Sequence, residues 1–147
     1  MLIFALVMSC TNAVSQKSKD MQVKGEILAS ESQGGSEQAG FKIIKDQAEL
    51  QNSITEKFQK SGMEPIMDIP VFQKDKKIVL YNLGTFNSGD HKVNEIKSIS
   101  VKNNVLYVEV PEYQSGGMAI QVMSNPWFIF SVPSEYKFTS VELKYSK

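Results

Sequence analysis

Apolar positions in this chain follow two periods, which separate one helical stretch from a long series of strands. From Asp46 to Ser61 the apolar residues Leu50, Ile54 and Phe58 recur every fourth position, so they line one face of an α-helix. Asp46 stands where it can cap the N-terminus, Glu49 follows three residues on as in a capping box, and Gly62 supplies the stop. The stripe reads as core; a helix that lies in a partner's groove is the competing reading. Before it, Met21–Leu28 roughly alternates and predicts a first strand, and Phe41–Ile44 predicts a second. Between them, Glu31 to Gly40 is rich in Gly, Ser, Gln and Glu and reads as a mobile loop.

After Pro65 the pattern is that of β-structure. Lys77–Leu83 is mostly apolar, as expected of a central strand covered on both faces, and Gly84 to His91 is a loop. Lys92–Val101 alternates in near period-two order. Asn103-Asn104 tolerates the left-handed backbone of a two-residue turn, so Ile96–Lys102 and Val105–Val110 predict a hairpin. Pro111 to Gly117 is a loop and Met118–Met123 a strand. Pro126 interrupts, because it cannot donate to a ladder, and Trp127–Val132 resumes. Ser140–Tyr145 is the last strand. The elements predict a single α+β domain over residues 21–147: a largely antiparallel β-sheet or sandwich of six to eight strands with one principal helix.

Composition narrows the function more than the fold. The 16 basic and 16 acidic residues cancel, and every basic residue is lysine. Without arginine the chain lacks the planar fork that grips phosphate and guanine, and without net positive charge it gains little from counterion release. Nucleic acid is therefore not an expected partner. One cysteine permits no internal disulfide, one histidine no His-rich metal site, and no cofactor motif is present.

The cysteine is placed informatively. Residues 1–9 are an uncharged apolar run that ends at Cys10, and Thr11 to Asp20 is polar. About ten apolar residues fall short of the roughly twenty that span a bilayer, but they suit a signal-peptide core. Val7, Ser9 and Cys10 resemble the lipobox of bacterial lipoproteins. The resemblance implies cleavage before Cys10, a lipid on its thiol, a flexible tether over residues 10–20, and a cell-envelope location with the membrane as one partner. A buried or frayed cysteine of a cytosolic protein is the plain alternative.

A second resemblance covers residues 68–133. Asp68-Ile69-Pro70-Val71-Phe72 before the strand Lys77–Leu80, then Gly84, Ser88-Gly89-Asp90-His91, the hairpin, and Asn125-Pro126-Trp127-Phe128 leading into Ile129–Pro133 resemble the C-terminal domain of the protease complex subunit PrcB family. That family has a Gly-Gly-Tyr-like turn where this chain has Gly89-Asp90-His91. The resemblance implies a small β-rich envelope module that associates with a protease or another envelope protein, and it implies no cleavage activity of its own.

Three loops then compete between sharp and plain readings. A catalytic His91 would need Ser88 and Asp90 to act with it, yet triads usually join separate elements, so a loop histidine in the family's aromatic position is preferred. Gly116-Gly117 has neither the helix nor the lysine of a phosphate loop and reads as a turn. Strand alternation puts Phe128 and Phe130 on one face and Trp127, Ile129 and Ser131 on the other. Trp127 is then either core under a helix or a contact hot spot beside Pro126. The loops Asn87–His91, Gln114–Gly117 and Asn125–Trp127 also resemble, in their order, those of chagasin-like inhibitors of cysteine proteases. The short separation of the second from the third predicts that they open at opposite ends of the sheet. Ser88, Gly89, His91, Gly116, Gly117, Pro126 and Trp127 are thus the candidate protein-contact residues of a non-enzymatic binding or accessory subunit, with protease inhibition as the alternative.

Overall fold

The computed structural model describes residues 25–62, 68–87, 91–113 and 123–147. Seven strands and one helix occur among them: β1 (Glu26–Glu31), β2 (Gly40–Ile44), α1 (Gln47–Ser61), β3 (Lys76–Asn82), β4 (Ser98–Lys102), β5 (Val105–Pro111), β6 (Trp127–Pro133) and β7 (Ser140–Ser146). The fold is α+β and mostly β, as the alternation predicts. Cys10, the tether and the start of the first predicted strand lie outside the described residues, as do Ser88, Gly89 and Asp90, Gly116 and Gly117, and the predicted strand Met118–Met123 apart from its last residue.

Strands β1, β6, β3 and β2 form one antiparallel sheet in that order, and β4, β5 and β7 form a second. In β6, Phe128, Phe130 and Val132 point one way. With Val79 they meet Ile99, Leu106, Val108 and Val141 of the second sheet in a sandwich core. Trp127 and Ile129 point the other way, joining Ile78, Leu80, Ile44 and the α1 stripe Leu50, Ile54 and Phe58 in a second core. The four-stranded sheet is therefore the middle of three layers, which is why β3 and β6 are apolar on both faces. Each fully buried Leu, Ile or Phe of the stripe contributes roughly 1.5–3 kcal/mol of transfer free energy.

Local signals are realised at the α1 ends and at the hairpin. The Asp46 side chain accepts the Glu49 N–H, and Gly62 closes the helix with φ of 73°, a left-handed value that glycine adopts without a Cβ clash. The Glu49 carboxylate accepts from the Lys45 N–H at 2.7 Å, one residue earlier than in a full capping box. Asn103 and Asn104 have φ of 53° and 64°, as a type I′ turn between β4 and β5 demands.

Two expectations are corrected. Residues 92–97 are not strand: Val93 and Ile96 are both buried, but three residues apart they cannot share one face of a strand, so the segment is irregular. Within the largely antiparallel arrangement, β7 runs parallel to β5 from Val105↔Ser140 to Pro111↔Ser146. The stretch from Glu31 to Gly40 is not a free loop. The Gly35 N–H donates to Asn125 O at 2.8 Å, the Ser36 N–H to Asn82 Oδ1 at 3.2 Å, and the Gln33 amide to Met123 O at 3.1 Å.

Candidate functional site

Strand register determines which loops share an end of the sandwich. Asn82, the last residue of β3, opposes Trp127, the first of β6, so the chain leaving β3 and the chain entering β6 lie side by side. Their adjacency continues beyond the strands. The Leu83 N–H donates to Pro126 O at 2.9 Å, and Phe86 and Ser124 exchange both backbone hydrogen bonds at 2.9 and 2.8 Å. The segment after β5 joins them through rings: His91 stacks on Phe86 with centroids 4.0 Å apart and lies 4.3 Å from the Tyr113 ring. The described flanks of all three loops thus meet at one end, whereas the spacing of the second and third predicts opposite ends. The difference arises because Ser124 pairs with Phe86 outside any regular strand, a connection that no alternation pattern announces.

The candidate residues within these flanks are supports rather than contacts. His91 is 4% exposed, with its imidazole flat against Phe86. Held in this way, it is not a solvent-open base. Trp127 is fully buried, its ring edge-on to Phe58 at 6.1 Å and its indole N–H donating to Gln33 O at 2.8 Å. Pro126 is buried too, and its carbonyl takes the Leu83 N–H. The hot-spot reading of Pro126 and Trp127 is therefore corrected. A residue without solvent exposure offers no surface to a partner, and Trp127 holds the β6 entry onto the helix layer.

What this end does expose was missed in the sequence. Met123 is 62% exposed next to Ser124, and Phe86 and Tyr113 are half-buried around His91. Met123 was hidden as the end of a predicted strand. An exposed methionine flanked by half-buried rings gives an adaptable apolar surface, suited to protein contact. Among the described residues no group of three His, Cys, Asp or Glu side chains is placed to hold a metal ion.

No protein-family model, curated protein or solved structure matches this chain.

Proposed function

We propose that this protein is a non-enzymatic binding or accessory subunit, held at the cell envelope by lipid on Cys10, and that it meets a protease or protease-associated protein with the loop end of its sandwich. The observation that carries the reading is the convergence of three loop flanks around Phe86, His91 and Tyr113, with Met123 exposed beside them. The buried His91 and Trp127 stiffen the flanks, so a partner meets a pre-organised surface and less ordering entropy opposes binding. The resemblance to the PrcB family supports the choice of partner class, and the lipobox resemblance supports the anchor.

The test is a pull-down from detergent-solubilised envelope with the full chain as bait and Met123→Asp as control. Met123 is exposed, so the change leaves the cores intact. A protease or protease-associated protein retained by the wild type and lost with Met123→Asp supports the reading. Equal retention by both, or capture by neither, refutes it. Mass spectrometry of the mature N-terminus tests the anchor separately: an unmodified Met1 removes it.

The same convergence supports the second reading, inhibition of a cysteine protease, because such inhibitors present three loops from one end. Dose-dependent loss of papain-like protease activity is the result it requires. Unchanged activity at micromolar protein dismisses it.

A further inference from the structure

Lys57 is a charged residue in the wrong place for a solvated helix face. It is only 7% exposed, and its ammonium donates at 2.8 Å to Asn82 Oδ1, a neutral oxygen that also accepts the Ser36 N–H. Among the described residues no carboxylate forms an ion pair with it, whereas its cationic neighbours are matched: Lys42 with Glu49 at 2.7 Å and Lys60 with Glu56 at 3.4 Å. Burial pushes the Lys57 amine below its ordinary value, and nearby Lys60 adds to this while Glu56 opposes it. An ammonium carries three protons, so a single neutral acceptor leaves donor capacity unused.

The amine belongs to a cleft of about 420 Å³ between α1 and the β2–β3 edge, lined by Ser53, Gln38 and Asn82, by the paired Lys42, Lys60 and Glu56, and by Leu80. From these observations we infer that the cleft binds a small aliphatic monocarboxylate, with its carboxylate on Lys57 Nζ and its short hydrocarbon beside Leu80. The charge count selects the class. With Lys42 and Lys60 each paired, one uncompensated positive charge remains, which matches a monoanion better than a phosphate dianion.

The experiment is an amide-shift titration of the full chain in detergent with sodium butyrate, against sodium chloride at equal ionic strength and against inorganic phosphate. Butyrate should give saturable shifts confined to residues around Gly40–Lys42, Ser53, Lys57 and Asn82, with a dissociation constant of about a millimolar, the range open to so small a ligand. Lys57→Met keeps the stem and removes the charge, and should weaken the affinity at least about tenfold, as expected for loss of a charge-assisted bond. Should that variant fail to fold, the wild-type Lys57 amine is titrated directly by NMR, and saturating butyrate must raise its pKa. Non-saturating shifts, equal affinity in Lys57→Met, an unmoved amine pKa, or phosphate binding more tightly than butyrate would each overturn the assignment.

Discussion

Truncation of Trp127 gives a direct measure of how the loop end is built. Trp127→Ala removes the largest fully buried side chain, deletes the edge-on contact with Phe58, and strips Gln33 O of its indole donor. Large-to-small changes of buried aromatics cost about 3–5 kcal/mol through lost transfer energy and the cavity left behind. The orphaned carbonyl adds about 1 kcal/mol, because Gln33 lies in a part-buried loop that water can reach only in part. The total, about 4–6 kcal/mol, is comparable with the whole stability of a small domain, roughly 5–15 kcal/mol. Urea unfolding followed by circular dichroism should therefore show a midpoint that collapses or nearly vanishes. Trp127→Phe keeps most of the ring volume and should retain a cooperative transition at lower urea. The wild-type chain has one tryptophan, so its fluorescence should be blue-shifted in the native state and red-shift with the same midpoint. A loss below about 1 kcal/mol for Trp127→Ala, the scale of surface substitutions, would refute the burial argument and revive Trp127 as a contact residue.

Other consequences can be checked in the same unfolding experiments. Gly34 has φ of 99° and a Cβ there would stand 2.2 Å from Lys57 O, so Gly34→Ala should cost more than about 3 kcal/mol; a neutral result would mean that the loop is not pinned on the helix. At Asn104, with φ of 64°, Asn104→Gly should be neutral to slightly stabilising, whereas Asn104→Val should cost about 1–2 kcal/mol; equal midpoints for the two would argue against the left-handed turn. Alkaline pH should destabilise the fold. Burial raises the phenol pKa of Tyr81, Tyr136 and Tyr145 above 10.0, so the native state holds these protons longer than the unfolded chain, and stability falls as pH rises from 10 through the native values. Lys57, whose pKa is lowered, works in the opposite sense and adds stability as pH rises towards 10.5, but it is one group against three. Stability that instead rises steadily above pH 10 in a urea series would contradict the partial desolvation of these phenols.

Local chemistry made much of this molecule legible. The α1 boundaries follow from Asp46 and Gly62, the hairpin from Asn103-Asn104, and the two-faced burial of β6 from the unbroken run Trp127 to Val132. Non-local contacts stayed hidden. The parallel pairing of β5 with β7 joins residues about 35 apart and leaves no mark on either strand's own alternation. The stretch from Glu31 to Gly40 has the composition of a free loop, yet it is fastened by backbone groups and by Gln33 and Trp127, and composition records none of those bonds. The candidate site was legible as a set of loops but not as a surface. His91 and Trp127 look like recognition residues in a list of loop residues, whereas their burial follows from which strands lie beside them. Lys57, one residue from the stripe position Phe58, looks like an ordinary helix-surface lysine until the Gly34 loop closes over its backbone.

That loop also joins the two proposed sites physically. Asn82 ends β3 opposite Trp127, and its side-chain oxygen receives both Lys57 Nζ and the Ser36 N–H. Three residues before Ser36, Gln33 takes the Trp127 indole N–H on its carbonyl and gives its own amide to the carbonyl of Met123, an exposed residue of the loop end. A carboxylate that draws Lys57 Nζ off Asn82 therefore acts on one end of a four-residue span, Gln33 to Ser36, whose other end holds Met123. The lysine is a poor choice for stability alone, since an apolar side chain of similar size would avoid desolvating a charge against a neutral acceptor. Its position makes physical sense where, as proposed, an anion completes the charge balance and the backbone beside it leads to the surface proposed to meet a partner.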